Sequence, residues 1–215
     1  EIPFVNLQPQ HQLIQAEIEA AIKKVINKGD FILGQALEEF ETAFANACGV
    51  KYGVGVGSGT DAIALGLQAC GIGEGDEVII PANTFIATVI GALKAGAKPI
   101  LVDCHPDTAL IDLEAANMAV TNRTKAIIPV HLYGQMVSPL QLLDFARTHN
   151  VTIFEDAAQA HLAKREGYCA GAVGMAGAFS FYPSKNLGAF GAGGMVITNY
   201  EAIATKIKIL RNYGA

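Results

Sequence analysis

The sequence predicts an α/β fold: a three-layer α/β/α domain with a mainly parallel, mixed central sheet of about seven strands. Three observations predict it. From Tyr52 onward, seven short apolar runs alternate with helical segments. Most of those runs lack polar alternation, as strands buried on both faces of a parallel sheet do. Finally, 51% of the 215 residues are apolar and only 16% charged, against about 25% charged in an average globular domain. That composition supplies a large core and excludes a disordered or collagen-like chain.

The elements follow in order. Ile14, Ile18, Ile22, Val25 and Ile26 recur at helical spacing, which predicts an amphipathic helix over 10–28 ended by Gly29. Leu37, Phe40, Phe44 and Cys48 repeat the pattern, closed by Gly49. This N-terminal helical segment, about residues 1–50, leads into strands expected at 52–56, 77–80, 99–103, 126–130, 151–155, 178–181 and 195–198. Helices are expected between them at 61–70, 84–95, 112–120, 138–149 and 201–212. Gly96 closes the second of these, and Ser138-Pro139 reads as an N-cap with proline at the first helical position. With no internal repeat, low-complexity tract or charge block, residues 1–215 read as one domain.

Charge narrows the function classes. Fifteen Lys and Arg against twenty Asp and Glu give a net charge of −5, so no basic field draws nucleic acid or anionic lipid. Mean hydropathy is positive at +0.33, yet the uninterrupted run of about eighteen apolar residues that a membrane span needs does not occur. Cys48, Cys70, Cys104 and Cys169 are too widely spaced for a zinc or thioredoxin pattern and too sparse for a disulfide scaffold. A reducing, cytoplasmic setting is expected, and the first residues, Glu1-Ile2-Pro3-Phe4, carry no basic and apolar secretory pattern.

Three stretches can carry chemistry. The first is Gly53-Val54-Gly55-Val56-Gly57-Ser58-Gly59-Thr60-Asp61, after a strand and opening a helix. Its glycines let N–H groups approach a phosphate at a helix N-terminus, with Ser58 and Thr60 adding hydroxyls; a plain strand-to-helix turn explains it equally well. No Walker Gly-Lys-Ser/Thr is present. Gly57-Ser58-Gly59-Thr60-Asp61-Ala62 fits the relaxed dinucleotide pattern, but the acid required about twenty residues on is missing, which disfavours a nicotinamide enzyme.

The second stretch is Phe154-Glu155-Asp156-Ala157-Ala158-Gln159-Ala160-His161. A buried strand there delivers a carboxylate to its carboxyl end, where ligands of open α/β sheets bind. Asp156 can keep a ring nitrogen protonated and Gln159 can bond a neighbouring ring oxygen; the pair also reads as a helix N-cap and capping box. The third runs from Ala178 through Ser180, Phe181, Tyr182, Pro183 and Ser184 to Lys185-Asn186-Leu187-Gly188. It places Lys185 between an aromatic strand and a glycine-rich turn, where partial desolvation favours the free amine needed as a nucleophile. Ser180 can add a second hydroxyl at the phosphate.

A hydroxyl-lined phosphate cup, an acid at a strand end and an embedded lysine are, in that order, the parts pyridoxal 5′-phosphate (PLP) requires. The lysine forms the Schiff base and the acid keeps the pyridine nitrogen positive. Phe85 is the candidate aromatic for the ring face, with a core phenylalanine at a helix start the competing reading.

At these residues the chain resembles the DegT/DnrJ/EryC1/StrS family of PLP-dependent nucleotide-sugar aminotransferases, which have the aspartate-aminotransferase fold. The resemblance runs nearly end to end: Ile2-Pro3-Phe4-Val5-Asn6-Leu7, Phe31-Ile32-Leu33-Gly34, Gly57-Ser58-Gly59-Thr60-Asp61-Ala62, Val130-His131-Leu132-Tyr133-Gly134-Gln135, Glu155-Asp156-Ala157-Ala158-Gln159 and Ser180-Phe181-Tyr182-Pro183-Ser184-Lys185-Asn186-Leu187-Gly188. The resemblance implies the large domain of a PLP-dependent transferase. Lys185 would carry the Schiff base and shuttle the proton; Asp156 would sit on the pyridine nitrogen and Gln159 on the phenolic oxygen. It further implies Gly59, Thr60 and Ser180 at the phosphate and Phe85 on the ring.

The implied reaction moves an amino group from L-glutamate to a nucleotide-linked keto-sugar. The motif wording looks most like members acting on a dTDP-3-keto-6-deoxyhexose. Lys185, rather than histidine, argues against the dehydratase branch. Two positions depart from the pattern: Ala192 stands in Gly191-Ala192-Gly193-Gly194 where an acid is usual, and Leu162 follows His161 where glycine is common. Family members are longer homodimers, so the small C-terminal domain, with its Asn-containing segment reaching the partner's phosphate, is expected to be absent from this chain. The rival reading is a truncated or regulatory, non-catalytic relative. His131, Tyr133, Tyr182 and His161 fit core or loop positions better than substrate contacts.

Overall fold

A computed structural model describes residues 2–214. The helix expected over 10–28 starts later: Ile18, Ile22, Val25 and Ile26 lie in α2 (Gln15–Lys28), Ile14 caps it with a φ of −126° outside the helical range, and a separate short helix, α1 (Gln8–Gln12), precedes it. Neither helix contains a buried residue. α3 (Gln35–Cys48) does bury its stripe, through Phe44, Ala45 and Cys48. Gly29 and Gly49 take φ of +68° and +73° at the two C-caps, the left-handed conformation open to glycine without strain.

The alternating region then follows as β1 (Tyr52–Val56), α4 (Gly59–Ala69), β2 (Glu77–Pro81), α5 (Ile86–Lys94), β3 (Lys98–Val102), α6 (Leu113–Met118), β4 (Thr124–Ile127), α7 (Pro139–His149) and β5 (Thr152–Asp156). A two-stranded hairpin, β6 (Lys164–Arg165) with β7 (Tyr168–Cys169), precedes β8 (Ala176–Ser180), β9 (Gly194–Thr198) and α8 (Glu201–Arg211). The sequence did not announce that hairpin, which is too short to show a period. The caps fall on the polar residues suited to them: Ser58 accepts from Asp61 N, Asp112 from Glu114 N and Ala115 N, and Ser138 from Gln141 N.

Seven strands form one sheet in the order β1-β9-β8-β5-β4-β2-β3. β9 pairs antiparallel with both β1 and β8, and every other pairing is parallel, so six strands share one direction. One face is covered by α4, α5 and α8, whose Leu67, Ala92 and Ile207 pack with Val54, Ile80, Phe154 and Val196. The other is covered by α3, α6 and α7, whose Phe44, Ala116 and Leu142 meet Phe179, Ile197, Ile79 and Ile153. Alternate residues of a strand thus enter opposite cores, which is why the strands read as unbroken apolar runs. Among the described residues no helix is long and apolar enough to cross a membrane. The parallel strands end together at one edge, and Asp156 and Ser180 are the last residues of β5 and β8 there.

Candidate active site

Every residue singled out above as a catalytic or cofactor contact lines a single cleft of about 440 Å3 at that edge: Gly59, Thr60, Phe85, Asp156, Gln159, Ser180 and Lys185. Topology does this. The turn after β1, the turn before α5, the end of β5 and the end of β8 are distant in sequence but converge where a parallel sheet places its loops.

The N-terminus of α4 forms one wall. Ser58 caps it, accepting from Asp61 N at 3.1 Å and donating to Asp61 Oδ2 at 2.8 Å. Its hydroxyl is therefore committed to the cap, unlike the free phosphate ligand the sequence allowed. The first intrahelical bond runs from Ala62 N to Ser58 O at 2.9 Å, so the N–H groups of Gly59 and Thr60 precede the helical ladder. A Cβ built on Gly59 would stand 2.6 Å from Ser180 Cβ; only glycine lets α4 approach the end of β8 this closely. Lys94 Nζ bonds Asp61 Oδ1 at 2.6 Å, and that bond, with Ser58, holds the Asp61 carboxyl below its ordinary range.

Asp156 forms the floor. It is buried, and Thr88 Oγ1 donates to its Oδ2 at 2.7 Å while Ala158 N donates to Oδ1 at 3.1 Å. Burial pushes its pKa up, opposed first by Thr88 and then by Ala158, with the Lys185 charge also favouring the carboxylate. Because Thr88 spends its proton on Asp156, the 2.7 Å contact with Thr84 Oγ1 has Thr84 as donor. No helix follows Asp156: residues 157–163 form turns, so the capping-box reading of Asp156 and Gln159 is wrong. Gln159 Oε1 instead accepts from Tyr133 N at 2.8 Å, which leaves its amide N–H groups as donors.

Lys185 is half-buried, and its backbone N–H donates to Tyr182 O at 2.8 Å. Ser180 Oγ accepts from Tyr182 N at 3.3 Å. Phe85 is 69% exposed, so it lies at the cleft mouth and the core reading fails. Of the two departures, Ala192 lines the cleft. Leu162 adopts φ +59°, the left-handed region where a glycine carries no Cβ penalty.

Sequence reasoning missed two supporting groups. Thr88 is fully buried and anchors Asp156 from 68 residues away; a threonine inside an apolar helix gives no local signal of that role. Glu155, also fully buried, accepts from His131 Nε2 (3.0 Å) and Gly171 N (2.9 Å) on Oε1, and from Val173 N (2.7 Å) and Gly174 N (2.9 Å) on Oε2. Val137 N donates to His131 Nδ1 at 3.2 Å, which fixes the proton on Nε2. His131 is thus a core residue bracing the strand that presents Asp156.

The model of the DegT/DnrJ/EryC1/StrS aminotransferase family matches residues 12–215. The chain belongs to this family. It is 44% identical over 214 residues to the dTDP-3-amino-3,4,6-trideoxy-alpha-D-glucose transaminase of Streptomyces venezuelae, covering 100% of this chain and 56% of that protein. It is 45% identical over 214 residues to a pleiotropic regulatory protein of Geobacillus stearothermophilus, covering 100% of this chain and 58% of the relative. The solved structure of S. venezuelae DesV in complex with a ketimine intermediate superposes with a TM-score of 0.96 at 45% identity, over 100% of this chain and 58% of the other. The chain therefore spans a little over half the length of these DegT/DnrJ/EryC1/StrS relatives.

Proposed function

We propose that this chain is the cofactor-binding large domain of a PLP-dependent aminotransferase, acting with L-glutamate as amino donor and a nucleotide-linked keto-deoxysugar as acceptor. The observation that carries the reading is the convergence of Lys185, Asp156, Gln159, Gly59, Thr60, Ser180 and Phe85 on one cleft.

The residues present fit the cofactor. The unladdered N–H groups of Gly59 and Thr60, in a cradle a Cβ would fill, suit a phosphate at a helix N-terminus. The Ser180 hydroxyl stands beside them. Asp156 is a buried carboxylate with two donors already in place, suited to hold a pyridinium nitrogen. Gln159, its oxygen engaged by Tyr133, has only N–H to offer, which suits an anionic ring oxygen. Phe85 is free to cover the ring. When bound, PLP supplies an electron sink for the carbon bearing the amino group.

Lys185 Nζ would hold the cofactor and, once released from it, would act as the base that carries the proton between the donor α-carbon and the cofactor carbon. Asp156, its carboxylate stabilised by Thr88 and Ala158 against burial, would hold the ring nitrogen, and the Gln159 amide would donate to the ring oxygen.

For the acceptor we favour a dTDP-3-keto-6-deoxyhexose, from the wording of the Val130–Gln135 and Ser180–Gly188 motifs and the name of the S. venezuelae relative. A homodimer with sites near the subunit boundary, and a cytoplasmic location in keeping with four unpaired cysteines, belong to the same reading. The name of the G. stearothermophilus relative keeps a regulatory, non-catalytic role as the second reading.

The deciding experiment is incubation with PLP, borohydride reduction and peptide mapping by mass spectrometry, with Lys185→Ala as control. A pyridoxyl group confined to Lys185 is expected. No adduct, or one scattered over surface lysines, would transfer the weight to the regulatory reading.

A further inference from the structure

His161 follows the Asp156 strand by five residues and is assigned no part in the scheme above. Its ring sits among Phe44, Phe179 and Phe181, with centroids 6.2, 5.4 and 5.6 Å away. Nε2 bonds the Ser180 carbonyl at 3.0 Å. A carbonyl oxygen only accepts, so the proton is on Nε2 and Nδ1 of the neutral ring is a lone pair. That Nδ1 is shut off from solvent and has no hydrogen-bond partner among the described residues.

Buried acceptors are nearly always satisfied, and an orphan calls for an explanation. Burial, the largest influence, and the Lys185 charge push the His161 pKa down against the opposing pull of the Ser180 carbonyl and Asn186, which favours the neutral ring. A side-chain donor beside the ring would satisfy Nδ1. His161 shares the wall of a cavity of about 420 Å3 whose other side chains are Phe, Ala and Leu, with the single exception of Asn186. Asn186 faces the same cavity as the ring, is solvent-exposed and is the residue directly after Lys185.

We propose that His161 is a positioning residue for Lys185: its two ring nitrogens clamp the turn 180–186, Nε2–H on the Ser180 carbonyl and Nδ1 receiving the side-chain amide N–H of Asn186. Rotation of an exposed amide makes the second bond. The clamp ties both ends of the lysine turn to one rigid ring held in an aromatic cage, so the Lys185 backbone is fixed relative to Ser180 and the end of β8. Its effect on Lys185 rests on the function proposed above; the clamp itself does not need the cofactor to form.

Two measurements separate these. In isotope-labelled protein without cofactor, heteronuclear NMR of the His161 ring is expected to give the Nε2–H tautomer, with Nδ1 at the shift of a hydrogen-bonded acceptor. That shift moves to the free-acceptor position in Asn186→Ala. An Nδ1 shift identical in the wild type and Asn186→Ala, or an Nδ1–H tautomer, overturns the clamp.

The second measurement is the rate of borohydride-trapped pyridoxyl formation at Lys185. Asn186→Ala, and His161→Gln, which keeps a donor for Ser180 O but lacks the Nδ1 acceptor, are each expected to slow it roughly fivefold, the scale of one neutral hydrogen bond. The double variant should be no slower than either single one. Independent, multiplicative losses overturn the clamp as well. A wild type that forms no Lys185 adduct while the NMR result holds sinks the PLP reading and leaves the clamp standing.

Discussion

Replacing Thr88 with valine isolates what holds Asp156 in place. The two side chains are nearly isosteric, and Thr88 is fully buried, so packing is preserved and only the hydroxyl is lost. The perturbation removes the 2.7 Å bond to Asp156 Oδ2 and leaves that oxygen without a protein donor, while Ala158 N remains on Oδ1 at 3.1 Å. A hydrogen bond to a buried charged group contributes about 1.5–3 kcal/mol. The extra buried methyl offsets up to about 0.8 kcal/mol, and Thr84, which is only partly buried, regains water. The net loss is then about 1–2 kcal/mol, or roughly 2–8 °C in Tm for a chain of this size.

The pH dependence gives the sharper test. Burial raises the Asp156 pKa and Thr88 opposes that rise, so removing Thr88 raises it further. A raised acid contributes stability that is fully present below its unfolded pKa and is lost as pH rises through the folded value. The variant's deficit should therefore be small in acid, where both proteins hold a neutral Asp156, and grow as pH rises through the folded pKa. Thermal unfolding of the cofactor-free protein from below the ordinary value of 3.8 up to neutral pH reads this directly. A deficit that is absent throughout, or that shrinks with rising pH, would refute the assignment of Thr88 as the anchor of the carboxylate.

Three further outcomes are expected. Gly59→Ala gains up to about 1 kcal/mol in helix propensity but sets a Cβ 2.6 Å from Ser180 Cβ; a PLP titration followed by absorbance should show affinity down by about tenfold or more, since overpacking of 1–3 kcal/mol displaces the cradle. Glu155→Gln turns two of four donors toward an amide NH2, so urea denaturation should show a loss of about 3–5 kcal/mol; a loss under about 1 kcal/mol would mean that the carboxylate is not the hub of the 171–174 turn. For Lys94→Met, the Asp61 carboxyl loses the bond that lowers it. A depressed acid contributes stability above its ordinary pKa of 3.8, lost as pH falls through the lower folded value. The Tm difference between wild type and Lys94→Met should accordingly be steady above pH 5 and fade below 3.8.

By itself the sequence determined the alternation of seven apolar strands with helices, the glycine C-caps at Gly29 and Gly49, the Ser138 cap, and the residues that meet in the cleft. Each of these is written in short-range terms, as a short apolar run, a period of 3.6, a capping residue or a local motif. Tertiary structure decided the rest. The N-terminal stripe of Ile14, Ile18 and Ile22 has flawless helical spacing and does form α2, yet none of α2 is buried, because periodicity states which face can be buried and not whether anything buries it. Asp156 and Gln159 have the spacing of a capping box, but Asp156 is claimed by Thr88 from α5 and Gln159 by Tyr133, and those partners win over a local helix. Ser58 lost its candidate ligand role to Asp61 three residues away. Glu155 and His161 each stand within a motif that was read, and what each one does depends on groups 16 to 25 residues downstream: for Glu155 the Gly171, Val173 and Gly174 N–H groups, for His161 the Ser180 carbonyl and Asn186. A hydrogen bond between residues far apart in the chain depends on where the sheet order puts its strand ends, and no single local stretch encodes that order.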